Sequence, residues 1–393
     1  MNHKGKLLIV GASAYQHYIY KTAKQNDIWI GSVDADANAP MFSEADKYWN
    51  IDFSDTEAVI KAVKPEGIDA VATINIDQGM KYVEMIKRGL GLPYTHPKQI
   101  TTATRKDLMR AKWKERGIMQ PEFFVFNEQE KNKAKKLIST SDKFIVKPVD
   151  NSAKRGINVV EGSMMDIEDK IEQAYNYSKI KKIIVEEYIE GTLLFAATYI
   201  KEDKNIVTLM RQTINDSLVQ IKFDAPVKLD KAVETKIKNE AVKAAKCFGN
   251  GPFHTEIIID KDNVPYLIET SPRISYATVS LSRLTEGFDP VSQLLEDSCS
   301  FNVNNHSSRE RYYSSLIHIV PPAGAVYDNS NINKINYPFL EEIVPVVKDG
   351  HLVEPFETNE HRVLYFTVFG KDPASVNKYA KIVNDQLLQS FIF

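Results

Sequence analysis

The chain has 393 residues, 43% of them hydrophobic and 26% charged, the composition of an ordinary globular protein with room for two or three domains. Lys and Arg number 50 against 52 Asp and Glu, a formal charge of -2, so the surplus of positive charge that draws in nucleic acid or anionic lipid is missing. Two cysteines, Cys247 and Cys299, are too few for a disulfide framework or a four-ligand zinc site, and no apolar run is long enough to span a bilayer, so a cytoplasmic protein with buried thiols and no membrane partner is expected.

The first hundred residues alternate short apolar runs with helical stretches: 7–10, 15–24, 28–33, 56–63 and 70–74. Such a βαβ pattern predicts a small parallel sheet. The turn after the first strand, Gly11-Ala12-Ser13-Ala14-Tyr15-Gln16, holds one glycine where a dinucleotide fingerprint needs three, which disfavours NAD. Asp34, at the end of the second strand, is expected to cap a loop.

A helix is predicted over 106–117, a strand over 123–126 and a Lys-rich helix over 128–137 whose charged run is a solvated face. The apolar strand 144–148 carries Lys147 near its end, and the polar stretch 150–156 after it reads as a mobile loop between strands. Further strands are expected at 182–189, at 198–200 and 206–210 as a hairpin, and near 316–320, 342–347 and 363–369. Helices are expected over 231–246 and near 375–388.

The most informative hairpin runs from His254 to Arg273. With its turn at 260–263, where the turn-forming residues lie, His254 faces Glu269 and Glu256 faces Leu267. Ile257, Ile259, Val264, Tyr266 and Ile268 then share the apolar side, and Glu256 and Glu269 become diagonal neighbours on the other face, about 7–8 Å apart. Two carboxylates so placed can share a cation, and oxygen ligands suit magnesium completed by water and phosphate. A loop with an odd number of residues would put the two acids on opposite faces.

Taken together, these residues resemble an ATP-grasp enzyme over roughly residues 1–300, with a compatible C-terminal part. Four pieces carry the resemblance: Arg105-Lys106-Asp107-Leu108-Met109-Arg110 through Gly117, the strand Val146-Lys147-Pro148, the loop from Asn151 to Gly156, and Val185-Glu186-Glu187-Tyr188-Ile189-Glu190-Gly191. Glu256, Glu269 and Arg273 complete it. The resemblance implies an α/β and α+β chain. It would have a Rossmann-like domain over 1–105, an ATP-grasp domain over 106–303 with lobes of about 106–186 and 187–303, and a small C-terminal α+β lid over 304–393.

It also implies a set of roles. Lys106 and Lys147 reach ATP phosphates, with Arg211 as a further cation. The loop from Asn151 to Gly156, with Ser152 and Gly156 as its nucleotide-binding residues, folds over the triphosphate, and Glu186, Glu187, Tyr188 and Ile189 form the adenine hinge. Glu256, Glu269 and Ser271 hold magnesium, or manganese in its place, and Arg273 faces the acyl phosphate. Ser271 stands where the family has asparagine, and Thr192-Leu193-Leu194 stand where many members place a ribose-binding acid.

The chemistry accounts for the residue types, because phosphoryl transfer needs positioning and charge neutralisation more than covalent help. The branch most resembled is the carboxylate–amine ligases, ADP-forming enzymes that join amino acids or related small acids and amines through an acyl phosphate. Two alternatives stay open: a bicarbonate-activating carboxylase or carbamoyl-phosphate-synthase-like enzyme, and an ATP-binding sensor without turnover. His254, opposite Glu269 in this register, either orients that carboxylate or is a structural histidine. Residues 274–280, with 13–16 and the neighbourhood of Arg362, are expected to line the acceptor pocket. Oligomeric state is open, homodimers being the commonest soluble assembly.

Overall fold

The computed structural model of the chain describes residues 3–77, 79–138, 143–151, 155–161, 166–299, 303 and 310–392, the side chains of 298 and 299 excepted. Ser152 and Cys299, both singled out in the sequence, lie outside the described residues and side chains.

Strands β1 (Lys6–Val10), β2 (Trp29–Asp34), β3 (Lys47–Asn50) and β4 (Ala70–Ala72) form a parallel sheet in the order β3-β2-β1-β4. Helices α1 (His17–Gln25), α2 (Thr56–Val63) and α3 (Met80–Gly89) accompany it. Asp34 accepts from Ala12 N at 2.7 Å and from Asp36 N at 2.9 Å, closing the loop that follows its own strand. Gly11 has φ +90°, and a Cβ there would lie 2.3 Å from Gln16 Nε2 and 2.5 Å from Ile76 Cδ1, so the turn tolerates only glycine.

Helices α4 (Pro97–Thr104) and α5 (Lys106–Glu115) lead into a four-stranded antiparallel sheet of β5 (Phe123–Asn127), β6 (Lys143–Pro148), β7 (Asn158–Glu161) and β8 (Lys182–Glu187), ordered β5-β8-β6-β7. Helices α6 (Lys131–Ile138) and α7 (Ile167–Tyr177) cover one face, burying Ala134, Ile138, Ile171 and Ala174 against Phe144, Val146, Ile183 and Val185.

The largest sheet has eight strands. It is built from β9 (Thr192–Ile200), β10 (Asn205–Ile214), β11 (Gln220–Ala225), β12 (Gly251–Ile259) and β13 (Pro265–Ser271), then β14 (Tyr313–His318), β16 (Leu340–Pro345) and β17 (Leu364–Gly370). Its order is β13-β12-β9-β10-β11-β14-β17-β16, so the C-terminal strands continue the sheet edge to edge through the β11–β14 ladder. A two-stranded sheet pairs β15 (Val326–Tyr327) with β18 (Phe391–Ile392).

Two helices sandwich the middle of this sheet. Helix α8 (Lys231–Lys246) buries a stripe of Ile237, Ala241, Ala244 and Ala245 against Leu194, Ala196, Ile257, Ile259 and Leu267, while Trp113 of α5 closes the same core. On the other face α9 (Tyr276–Glu286) sets Tyr276, Ala277 and Leu281 against Phe195, Met210, Phe223, Leu316 and Tyr365. Helix α9 is buried on nearly every side, between that core and the one it shares with α10 (Pro290–Cys299) and the first sheet. It therefore has no amphipathic stripe, and its sequence, with two Ser, two Thr and a Val among eleven residues, hides its helical character. Helix α11 (Pro373–Leu387) backs the C-terminal strands.

The β12–β13 hairpin corrects the expected register twice. Ile259 pairs with Pro265, leaving a five-residue loop, an odd number that by itself would separate the two acids. A bulge between Glu256 and Ile257 on the ladder then leaves Ile268 without a partner, and beyond it Glu256 pairs with Glu269, Thr255 with Thr270 and His254 with Ser271. The glutamates are directly opposite, not diagonal. Leu267 turns into the α8 core, and Ile268 lines the cleft, each on the side opposite to expectation.

Candidate active site

A cavity of about 940 Å³ lies between the β5–β8 sheet and the eight-stranded sheet, at the upper end of the volumes small-molecule sites occupy. Glu256 of β12 and Glu269 of β13 project into it from adjacent strands, with Ser271 two residues further along the same face. Paired residues on an antiparallel ladder share a face at Cβ separations of about 4.5–5.5 Å. That leaves two carboxylates able to hold one cation, a set of hard oxygens that fits magnesium with phosphate and water completing the shell. Among the described residues no group of three or more His, Cys, Asp or Glu side chains is placed to hold a metal alone.

Lys106 opens α5, whose first turn is fastened by Lys106 N donating to Val149 O at 2.9 Å. Its Nζ reaches Glu269 Oε1 and Asn151 O, both at 2.9 Å, from a side chain only 4% exposed. Burial disfavours the ammonium, but Glu269, together with Glu186 and Asp77, outweighs it and raises the pKa. Lys147, near the end of β6, is equally buried, and there burial prevails over its carboxylate partner and lowers the pKa.

That partner is Glu186, and its place corrects the expected adenine hinge. Glu186 is 2% exposed and faces Lys147 Nζ at 2.6 Å and Arg110 Nη2 at 2.8 Å, while Arg110 Nη1 donates to Leu267 O at 2.6 Å. Burial raises the Glu186 pKa, yet Arg110 and Lys147 together hold it at about 2. Glu186 is thus an internal counter-ion, tying α5, β6 and β8 into one unit. Glu187 is exposed and lies outside the cavity lining, whereas Tyr188, Ile189, Glu190 and Gly191 do line it. Gly191 is required there, since a Cβ would sit 2.1 Å from Ile259 O.

Arg211 is exposed on β10 opposite Leu194, on the α8 side of the sheet and away from the cavity. Gly156 is buried against Tyr177 behind Arg155 and Ile157, which do line the cavity. Arg155 links this loop to the C-terminal part through Glu360 at 3.3 Å. His254 stands opposite Ser271, not Glu269, and lines the cavity with its ring tilted against Phe195, the centroids 3.8 Å apart.

Arg273 grips Asp77 with two parallel bonds, Nε to Oδ1 at 2.6 Å and Nη2 to Oδ2 at 3.0 Å. Burial would raise the Asp77 carboxyl, and the Arg273 guanidinium instead holds it at about 2. Sequence reasoning missed Asp77. The available signal was its position just past a strand end of the parallel sheet, where open α/β sheets bind ligands. Asn75, in a left-handed conformation, donates its N–H to Ile274 O at 2.8 Å and so pins that strand end beside Arg273.

The cavity is also walled by Tyr15, Phe195, Phe223, Ser275, Tyr276, Val346, Val347 and Arg362. Of the expected acceptor residues, Tyr15, Ser275, Tyr276 and Arg362 are there. Ile274 is buried in the core of the first sheet, and Gln16 is buried with its amide turned back on Val10 O.

Residues 104–277 match the family model described as an ATP-grasp domain. No curated protein matches the sequence. Among solved structures the chain is similar to the L-amino acid ligase from Bacillus licheniformis, at 17% identity with 100% of this chain and 99% of that one covered, and a TM-score of 0.79. It is similar to phosphoribosylglycinamide synthetase from Anaerococcus prevotii, at 21% identity, 98% of both chains and a TM-score of 0.75. It is also similar to the biotin carboxylase domain of the 2-oxoglutarate carboxylase from Hydrogenobacter thermophilus, bound to MgADP, ADP and bicarbonate. There the identity is 16%, the coverage 98% of this chain and 90% of that one, and the TM-score 0.80. At these identities the likeness is one of fold, and the family match places an ATP-grasp domain at residues 104–277 of the chain.

Proposed function

We propose that the protein is an ATP-dependent, ADP-forming ligase that joins a small carboxylate to an amine through an acyl phosphate. The observation that carries this reading is the face-to-face pair Glu256 and Glu269, set in one cavity with Lys106, Lys147 and Arg273. Tyr188 and Ile189 line the part of the cavity suited to the base, and Lys106 and Lys147 supply the cations for the phosphates. Glu256 and Glu269, with Ser271 beside them, would hold magnesium, which neutralises charge on the transferring phosphoryl group.

The substrate carboxylate oxygen attacks the γ-phosphorus, the bond to the β-phosphate oxygen breaks, and ADP leaves with the electron pair. Arg273, clamped by Asp77, faces the charge that builds on the acyl phosphate. The amine nitrogen then attacks the carbonyl carbon, a C–N bond forms, the C–O bond to phosphate breaks, and inorganic phosphate departs. The ammonium gives up its two protons, one to the departing phosphate and one to solvent. The apolar wall beyond Tyr15 and Phe223 favours an organic amine over a carbon dioxide-sized acceptor.

The test is release of ADP and phosphate from purified protein with Mg-ATP and pools of amino acids, other small carboxylates and amines. Release that requires both a carboxylate and an amine, and is lost in Glu269→Gln, is the expected result. Release with bicarbonate alone would overturn it.

A further inference from the structure

Helix α1 and the C-terminal strands meet at one carboxylate. Glu342 of β16, its side chain 13% exposed, accepts from Thr367 Oγ1 at 2.9 Å, from the Tyr18 hydroxyl and from His17 Nε2 at 3.2 Å. Burial would raise its carboxyl, but His17, Tyr18 and Thr367 hold it below the ordinary range. Among the described residues His17 is the only basic side chain paired with it. The other ring nitrogen of His17 also faces an acceptor: Nδ1 lies 3.1 Å from Ala14 O, in the turn Ala14–Gln16 that carries Tyr15. The Tyr15 ring lines the cavity and packs on Tyr276 and Tyr365, with centroids 4.7 and 6.2 Å apart.

A neutral imidazole has one N–H and one lone pair and can satisfy one of two acceptors, whereas an imidazolium donates to both. With the proton on Nε2 alone, the Nδ1 lone pair would point at Ala14 O; with it on Nδ1 alone, the Nε2 lone pair would face the Glu342 carboxylate. The Tyr365 hydroxyl, 3.5 Å from Nδ1, is too distant to stand in for the second proton. A largely buried anion with one basic neighbour asks for the same charge on the ring. The other titratable groups around the joint do not supply it. Burial raises the hydroxyls of Tyr15 in the turn, Tyr18 on α1, Tyr276 on α9 and Tyr365 on β17. Lys21, one turn further along α1, is exposed, Glu341 is paired with Arg283 at 3.6 Å, and Arg362 meets the Tyr15 hydroxyl. His318, whose ring packs on Tyr365, is held neutral by burial and Arg362.

We propose that His17, as the imidazolium that bridges Ala14 O and Glu342, is a positioning residue that holds the Tyr15 wall of the cavity to the C-terminal strands, and that loss of its proton loosens that wall. The protonated ring makes the joint, so the joint is firm in mildly acid solution and gives way as pH rises through the titration of the ring. Glu342 is already ionised across that range, because its carboxyl lies below the ordinary one. The joint shapes the cavity whichever reaction takes place there.

The experiment is amide hydrogen exchange of the full chain at pH 6, 7, 8 and 9, with rates corrected for the intrinsic pH dependence of exchange. It follows peptides covering 12–20 and 340–347, with 231–246 of α8 as the internal reference. In the wild type, protection of both joint segments should fall at least about 10-fold from pH 6 to pH 9, the scale of one lost hydrogen bond to a charged group, while α8 stays unchanged. His17→Gln, whose amide can donate to Glu342 but has no titrating proton, should be less protected than the wild type at pH 6 and flat across the series. Glu342→Gln should be less protected at pH 6 as well. Wild-type protection that does not change with pH, a fall shared equally by α8, a His17→Gln that keeps the pH dependence, or a Glu342→Gln that matches the wild type would each overturn the proposal. The wild-type series carries its own reference, so it decides even where a variant fails to fold.

Discussion

Glu256 stands directly opposite Glu269 across the β12–β13 ladder, and one unpaired residue, Ile268, makes this so. Like charges in direct cross-strand register repel, and a fold chosen for stability alone would separate them. Lys106, held on α5, offsets the charge of Glu269, while Glu256 has the side-chain amide of Gln220 at 3.4 Å. In the proposed function the pair is a site of stored repulsion that a divalent cation would relieve.

Glu256→Gln should therefore separate stability from activity. The variant is expected to melt no lower than the wild type in the absence of metal, because a cross-strand repulsion is removed. Its ADP release should fall at least about 100-fold, as for loss of one preorganised electrostatic group. Parallel thermal melts and a coupled ADP assay read both; a variant that loses activity only in step with its fold would oppose this account.

Glu186→Gln should do the reverse and act through the fold. It leaves Arg110 and Lys147 buried with no full charge opposite, at a cost of about 3–5 kcal/mol measured by urea unfolding at neutral pH. The wild-type carboxyl is held at about 2 against an ordinary 4.5, a depressed value. Its contribution is thus fully present above pH 4.5 and fades as pH falls toward 2, amounting to roughly 3 kcal/mol. Unfolding curves at pH 5 and pH 3 should show the wild type losing more stability than Glu186→Gln over that step.

Asp77→Asn should weaken the acceptor half-reaction. Arg273 keeps its charge but loses the bidentate clamp that fixes its plane, so kcat should drop by about 10- to 100-fold while KM for ATP stays put. Steady-state kinetics with ATP and acceptor varied separately check this; a selective rise in KM for ATP would place Asp77 elsewhere in the reaction.

Gly11→Ala should damage the acceptor side from a distance. The new Cβ needs positive φ and meets Gln16 and Ile76, so the turn carrying Tyr15 must shift. A loss of about 1–3 kcal/mol in stability is expected. A weakened response to acceptor should accompany it at temperatures where the variant is still folded, and denaturant titration together with acceptor-dependent turnover tests both.

Much of the fold was legible because its elements are locally determined. The periodic stripe of α8 predicts 231–246, the bounds the helix has, and the residues of β2, β6 and β8 include enough β-branched and apolar side chains to place those strands within a residue or two. Elements shaped by their surroundings were missed. The short, exposed strand β3 has no alternation, and α9, buried on both sides, has no polar face. Within the site, Lys106, Lys147, Glu256, Glu269, Ser271 and Arg273 could be named because each sits in a short motif, and all six line the cavity.

The sequence by itself determined which chemistry the chain can hold: two acids on one hairpin, lysines at a helix start and a strand end, and an arginine shortly after. These are properties of residue type and short spacing. The tertiary structure alone decided which charges meet. An odd loop and a one-residue bulge cancel each other to bring Glu256 opposite Glu269. Glu186 turns inward to Arg110 and Lys147 instead of outward to the cleft, and among the described residues Arg362 forms no ion pair with a carboxylate. Side-chain period along a strand is 2, so a single bulged residue reverses every later orientation. Counter-ion choice depends on distances between segments tens to hundreds of residues apart, which no local pattern encodes.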